Sequence, residues 1–467
     1  MALTREVAGA FSHAELVELL LRREAQLDQA LVEITQLRSQ VAQLQARVRE
    51  LEAERDRNDP TRKMPGLKPA ATPRRRKAGP RQRREHGFRR PRMVPTETVV
   101  HAAATCPHCA TPLSGGWERW RRQVLEVPDA PIRVIEHVVV ARRCPTCRTM
   151  VLPPTDPATF GVVGAQQRLG SGLVSLIGLL RAELRLPVAQ IQWYLQALHG
   201  LELSVGAVVG ALRTVAQAGA APVQAVLARI RAGPAVHADE TGWREDGANG
   251  YLWSFSTPTE RYYVRGGRNK AVVDAVLGPD FQGVLITDFY AAYDHYAGPH
   301  QRCWGHLLRD AHTLRERHPQ DAGLRQWAAD VHAVYTRARQ VGATTPAARE
   351  RAQRQGEADL LAVCQDFLAA DKEVVPQAVL CRRIQKYLPE LFTFVAEPDL
   401  VPADNNAAER SIRPAVCQRK ISGGTRSPAG TATFTTLATL FGTWRARNLD
   451  PLLACRQMLS LATAAQP

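Results

Sequence analysis

Two short apolar runs that each close on an aspartate, followed much later by a helical stretch carrying a glutamate, constrain this chain more than any other feature. Asp239 stands in AVHADETGW, Asp288 in VLITDFYAAY and Glu409 in DNNAAERSIRP. Short apolar segments bounded by turn residues read as buried strands. A lone aspartate after such a strand is usually a turn or cap residue. The order strand-Asp, strand-Asp, helix-Glu, together with the flanking residues, shifts the reading toward a shared site.

The chain has 467 residues, enough for several domains and at least one sizeable core. Lys plus Arg number 61 against 45 Asp plus Glu, a formal charge of +16 that suits a polyanionic partner. Membrane insertion is not expected, since no apolar run reaches the ~18 residues of a spanning helix. The opening MALTREVAGAFSHAE lacks the charged-then-apolar layout of a secretory signal. Nine cysteines are an odd number, and four of them form two Cys-x-x-Cys pairs. That pattern favours a reducing compartment and thiolate-bound metal over a disulfide framework. The expected location is cytoplasmic, associated with the nucleoid.

Residues 14–57 carry a heptad pattern. Leu20, Leu27, Ile34, Val41 and Val48 hold one seam position, and Leu37, Leu44 and Leu51 the other, with Ala30 and Arg23 as weaker members. β-Branched residues at the first position with Leu at the second favour a parallel two-stranded coiled coil, a leucine zipper that would make the chain a homodimer or higher oligomer. Residues 58–98 read as a disordered basic linker. Between Arg62 and Arg92 stand thirteen Lys or Arg residues and one glutamate, so twelve of the sixteen excess charges sit in a segment unable to bury a core. Arg74, Arg75, Arg76, Lys77, Arg81, Arg83 and Arg84 are candidate phosphate contacts.

Residues 99–155 hold Cys106-Pro-His-Cys109 and Cys144-Pro-Thr-Cys147, separated by 34 residues. Four thiolates in paired knuckles can close a tetrahedral shell around structural Zn²⁺, and the segments RRQVLEVP and IRVIEHVVVARR between them read as strands, which predicts a zinc ribbon. Residues 156–232 read as a helical DNA-binding or support domain; a helix-turn-helix there would have only Arg213 as a cation on its second helix, which favours support. Residues 233–311 with 396–430 form the core, three strands followed by a helix and two more strands. Residues 312–395 read as a helical insertion and 431–467 as two closing helices split at Asp450-Pro451.

Strand-Asp, strand-Asp, helix-Glu is the order in which a ribonuclease H-like fold gathers carboxylates around divalent metal. The fold class is therefore multidomain α/β: coiled coil, zinc ribbon, and a ribonuclease H-like catalytic core with a helical insertion. Hard Mg²⁺, or Mn²⁺, requires oxygen ligands, and phosphodiester chemistry is served by two such ions ~3.5–4 Å apart. Without metal the converging acids would raise one another's pKa values. Arg410 and Arg413 flank Glu409 and could orient a phosphate, with ion pairing to the carboxylates as the competing role. Cys303 and His306 read as structural, with a phosphate contact as a second role for His306. Trp243, Tyr290 and Tyr293 read as core, with stacking on an unpaired terminal base as the alternative.

HADET at His237 to Thr241, TDFYAAYD at Thr287 to Asp294, CWGHLLRD at Cys303 to Asp310 and NNAAERSIRP at Asn405 to Pro414 resemble the signature blocks of the insertion-sequence-66 transposase family. The resemblance covers most of the chain, since that family also has an N-terminal zipper and a Cys-x-x-Cys zinc module. It implies a DDE transposase of a mobile element, with Asp239, Asp288 and Glu409 as catalytic, metal-binding acids. It also implies DNA ends and target DNA as partners, and accessory proteins encoded alongside. The chain departs from the family in a shorter, Arg-rich linker and a gap of 121 positions from Asp288 to Glu409. Two rival readings are a catalytically inactive or repurposed transposase acting as a sequence-specific DNA-binding repressor, and a zinc-ribbon transcription factor with a zipper. The three acids weigh against the first, and over three hundred C-terminal residues are unexplained by the second.

Overall fold

The computed structural model describes residues 12–58, 92–125, 130–154, 156–164, 167–342, 345–371 and 374–464, without side chains at 19–20, 38–39, 42–58 and 463–464. The candidate phosphate contacts Arg74, Arg75, Arg76, Lys77, Arg81, Arg83 and Arg84 lie outside the described residues. The chain divides into two units, Met1–Val124 and Leu125–Pro467.

The first unit contains α1 (His13–Asn58), a continuous helix of 46 residues over the heptad segment. A reciprocal capping box starts it: the Glu15 amide donates to Ser12 Oγ at 3.4 Å, and the Ser12 amide to the Glu15 carboxylate at 2.8 Å. The first cysteine knuckle follows. The Ala110 amide donates to the Cys106 carbonyl (2.8 Å) and the Cys106 amide to Thr111 (2.9 Å), with Ala110 at φ 57°.

The second unit opens with a knuckle of the same form. The Arg148 amide donates to Cys144 (2.9 Å), the Cys144 amide to Thr149 (2.9 Å), and Arg148 takes φ 58°. It is flanked by the two-residue strands β1 (Arg142–Arg143) and β2 (Met150–Val151). The longer strands expected from RRQVLEVP and IRVIEHVVVARR do not form among the described residues; only Arg142 and Arg143 of the second run are paired. Alternation and β-branching mark a residue as suited to a sheet, but a strand needs a partner and a covered face. Val134 and Val138 have neither, being 91% and 75% exposed.

Four helices come next: α2 (Ser171–Ala182), α3 (Val188–His199), α4 (Val205–Ala218) and α5 (Ala220–Arg231). Gly200 at φ 64° ends α3 in the left-handed turn that glycine adopts most readily, and Ser204 caps α4 by accepting from the Ala207 amide. Val174, Ile177, Val208 and Val215 share one core with Leu440, Phe441, Cys455 and Leu459 of the closing helices α12 (Pro428–Ala446) and α13 (Pro451–Ala464). The helical segment and the chain's end are thus packed together.

The sheet is built from β3 (Ala235–Glu245), β4 (Ala248–Ser256), β5 (Arg261–Gly266), β6 (Val284–Thr287) and β7 (His300–Arg302), in the spatial order β5-β4-β3-β6-β7. The first three strands are antiparallel and β6 and β7 run parallel to β3. Asp246 and Gly247, at φ 51° and 78°, close the first hairpin in two residues, because a turn with two positive φ values matches the twist of paired strands. The sheet's two faces separate by residue parity. Val236, Ala238, Phe255 and Leu285 pack with Val226 and Ile230 of α5 and with Val273 of α6 (Lys270–Leu277). On the opposite face Trp243, Leu252 and Tyr263 pack with Ala415 of α11 (Asn406–Ser422) and Phe434 of α12.

Between β7 and α11 the chain forms α7 (Trp304–Arg317), α8 (Ala322–Arg339), α9 (Pro346–Cys364) and α10 (Ala378–Lys386), with a short helical segment at Thr393–Ala396. Their core of Leu324, Trp327, Val331, Leu360 and Phe392 is continuous with Ile286 and Trp304. One buried cation ties this insertion to the sheet. Arg302 at the end of β7 is fully buried; it pairs with Asp294 (2.8 Å) and with Glu390, donates to the Asp288 carbonyl (2.9 Å), and stacks on Tyr387 at 4.5 Å. Removing one partner of a buried pair is strongly destabilising. Arg302→Met should lower stability by up to about 3 kcal/mol, the low end of that range because solvent reaches both acids. Urea denaturation would measure it, and an unchanged midpoint would show that the insertion is held by apolar packing alone.

Candidate functional site

Register places the two aspartates. The parallel pairing of β3 with β6 matches Ala235 to Val284, Val236 to Leu285 and His237 to Ile286. Asp239 and Asp288 each lie two residues beyond the last matched pair, at equivalent positions toward the carboxyl ends of neighbouring strands. Adjacent strands lie about 4.8 Å apart, and equal parity puts both acids on the face that α11 covers. Asp239 Oδ1 accepts from the Glu240 amide (2.9 Å) and Asp288 Oδ1 from the Tyr290 amide (2.9 Å).

Glu409 arrives from a segment far away in the chain, and Asn405 fixes where. The Asn405 side chain is buried: its Oδ1 lies 2.9 Å from His237 Nδ1 and its Nδ2 donates to the Ala238 carbonyl at 2.8 Å. Its backbone amide donates to Cys303 Sγ at 3.1 Å. The first turn of α11 is thereby bound to the two residues preceding Asp239, and Glu409 stands one turn further on. Deeper along the helix, the Tyr263 hydroxyl donates to the Ser411 carbonyl (2.6 Å) and Arg419 to Gly242 (2.7 Å).

The three acids are brought within electrostatic reach of one another. The pKa of Asp239 is pushed up to about 7, first by burial and then by the charges of Glu240, Asp288 and Glu409. Glu240 is raised too, by burial and by Asp288, against hydrogen bonds from Arg268 (3.0 Å) and Tyr293 (3.0 Å). Glu409 has the Arg309 guanidinium at 3.7 Å and the His306 ring nitrogen Nε2 at 3.9 Å. Arg410 and Arg413 are exposed and make no ion pair with another described residue, so the ion pairing that competes with a phosphate role falls to Arg309 instead.

Among the described residues no three His, Cys, Asp or Glu side chains are drawn together tightly enough to hold a metal ion alone. Mg²⁺ is commonly bound by one or two carboxylates, with waters and substrate phosphates completing its shell. Acids whose charges raise Asp239 without closing a cage fit such a site, because divalent charge relieves the repulsion. In the knuckles, Cys109 is lowered chiefly by its hydrogen bond with Thr111, and Cys147 to about 7 by the corresponding bond with Thr149, which favours the thiolate, the form in which a cysteine can ligate metal.

A sequence profile described as Transposase IS66 family matches residues 166–433, more than half of the chain and all of the sheet. The chain belongs to the IS66 transposase family. A second profile, the zinc-finger binding domain of transposase IS66, matches residues 103–148 and includes all four knuckle cysteines. The chain is also similar to the uncharacterized protein y4qI of Sinorhizobium fredii (strain NBRC 101917 / NGR234), at 26% identity across 49% of this chain. That match spans 47% of the relative's own length, about half. Among the described residues no helix of this IS66-family chain is long and apolar enough to cross a membrane.

Glu240, Arg309 and Asn405 fall within the signature blocks, but nothing there marks them as supports of the acids, and Arg302 lies outside every block. Trp243, Tyr290 and Tyr293 pack as expected: Trp243 stacks on Phe434 (4.5 Å), the Tyr290 hydroxyl donates to Arg268 (2.6 Å) and Tyr293 is fully buried.

An aspartate raised above its unfolded value binds a proton more tightly in the folded chain, so the folded state loses stability as pH climbs from about 4 to about 7. Asp239→Asn should therefore raise the thermal midpoint of metal-free protein at pH 8 and leave it unchanged at pH 4. The rise would be about 2–4 °C for each kcal/mol of repulsion removed. A lower midpoint at pH 8, read by calorimetry, would mean that the ionised Asp239 is stabilised by its surroundings.

Proposed function

We propose that this chain is a DDE transposase that cuts DNA at the ends of a mobile element and joins the freed 3′ hydroxyl to target DNA. The carrying observation is the equivalent placement of Asp239 and Asp288 on adjacent parallel strands, with Glu409 brought to the same face. A sheet of three antiparallel strands extended by two parallel ones, covered by helices on both faces, supports a ribonuclease H-like core. Asp239, Asp288 and Glu409 would hold Mg²⁺ or Mn²⁺. Bound there, such ions supply charge neutralisation at the phosphate and activation of a hydroxyl.

The protein's own residues account for the rest. Arg309 and His306 steady Glu409, and Asn405 holds its helix against β3. Arg410 and Arg413, exposed beside Glu409, orient the DNA phosphate. Water is the nucleophile of the first displacement and the DNA 3′ hydroxyl of the second, so no bond forms between protein and DNA. Leu27, Ile34, Leu37 and Val41 are 46–62% exposed along α1, and a second copy covering that seam would bring two basic tracts to two element ends. The four knuckle cysteines hold one structural Zn²⁺, a reading supported by the matched knuckles and the zinc-finger profile.

Asp239→Ala, Asp288→Ala and Glu409→Ala should each lower Mg²⁺-dependent cleavage of element-end DNA by about 10³-fold or more, the scale for losing a member of a catalytic unit. DNA binding measured in parallel should persist. Cleavage at the normal rate by any one of them would remove that residue from the set.

Metal analysis offers a separate check on the cysteines. The purified chain should carry one zinc, and Cys106→Ser/Cys144→Ser should carry none. Full zinc content in the double variant would send the ion to other ligands.

A further inference from the structure

A cavity of about 350 Å³ is lined by α2, the start of α3, α4, α11, α12 and Tyr263 of β5. Its floor is apolar, formed by Val188, Leu212, Leu437 and Ala438, with the ring of Phe434 on one wall. Phe434 is itself held by stacking on Trp243, four residues along β3 from Asp239. Around this floor stand Arg181, Arg185, Arg213, Arg426 and Arg445, against one acid, Glu183. Glu183 pairs with Arg445 at 3.1 Å; no described carboxylate pairs with the other four. Arg181 is largely buried, and its neighbours there are neutral: the Leu186 carbonyl (3.0 Å) and, with the amide turned to suit both ends, Gln418 Oε1 (2.8 Å). Burial pushes its pKa below the usual guanidinium value.

Cations without counter-charge around an apolar, aromatic-walled recess call for a ligand that is flat and apolar in its body and anionic at its edge. A nucleotide has that chemistry: every base has a face to stack, whatever its sequence, and its phosphates suit guanidinium forks. Position supports DNA as the source. Pro414 and Gln418 line the cavity, five and nine residues after Glu409 on the same helix, an axial separation of about 8–14 Å. We propose that this cavity takes a single unpaired nucleotide of the DNA on which the chain acts, with its base on the apolar floor and its phosphates on the arginine rim. The inference rests on the transposase reading, and it assigns the recess to holding a frayed or extruded base while the neighbouring phosphodiester lies at the acids.

The test uses the full chain and two fluorescent probes: an oligothymidylate of about ten nucleotides, within the span that single-strand grooves take, and a blunt duplex. Ala438→Phe fills the floor without changing charge, and Arg213→Glu/Arg426→Glu reverses the exposed rim. Ala438→Phe should weaken oligothymidylate binding roughly 5- to 100-fold, the range for losing one stacked base, and leave duplex binding within about twofold. The rim variant should weaken the single strand more than the duplex. If Ala438→Phe melts differently from the parent, Thr433→Trp at another lining position takes its place. Unchanged single-strand affinity in the filled variant overturns the proposal, as does an equal loss for both probes, which would mark the arginines as general phosphate contacts. Asp239→Asn separates the two readings. Cleavage surviving in that variant sinks the assignment of the acids, while loss of single-strand binding in Ala438→Phe still supports the recess. A parent chain that binds neither probe overturns both.

Discussion

Like-charge repulsion is the constraint around which the sheet and its covering helix are arranged. Asp239, Asp288 and Glu409 come from segments that sequence separates widely, and bringing them to one buried face works against solvation and against their own charges. Such a site persists only if the surrounding structure fixes each member independently. Backbone pairing does so for the two aspartates, which follow the β3–β6 ladder at equal distance past its last matched pair. The glutamate has no ladder. Its helix is held instead by contacts along its length, the first being the buried amide of Asn405, whose two polar ends are both satisfied by β3, by His237 and by the Ala238 carbonyl. An amide suits this task because it binds strongly through donor and acceptor without adding a charge to a region already overcharged.

The same economy of charge appears behind Asp288. Arg302 neutralises Asp294 and Glu390 and holds the Asp288 carbonyl, not its carboxylate. A guanidinium aimed at the carboxylate itself would have quenched the negative potential on which the proposed cation binding depends. The insertion helices thus brace the strand end from behind while leaving its acid free. Glu240 takes the direct counter-ion instead, from Arg268.

How much of this was legible beforehand depended on the range of the interaction. The strands, the helix after them, the helical insertion and the closing pair of helices follow from local pattern, since apolar runs, Asp-Gly and Asp-Pro act within a few residues. The acids could be picked out as candidates because their order and flanking blocks are linear features. Their supports were not. Asn405 acts across 168 positions on His237, and Arg302 across 88 on Glu390, and no local signal encodes such partners. The expected ribbon strands between the cysteine knuckles failed for the same reason in reverse. Val134 and Val138 have strand-like side chains, but no partner strand runs beside them among the described residues. The arginine-rimmed recess was invisible because its lining comes from five helices and a strand that lie far apart in the chain.

The shared register of Asp239 and Asp288 has a consequence for how such a chain can change in length. Side chains alternate across a strand, so one residue gained or lost within Val284–Thr287 would turn Asp288 to the opposite face, away from Glu409. A whole bundle of helices between β7 and α11 carries no such penalty, because the chain leaves the sheet after Arg302 and is captured again at Asn405. The tolerance is therefore inverted relative to size. Dozens of residues can enter where the chain is re-anchored by side chains of its returning helix, whereas one cannot enter where the backbone counts positions.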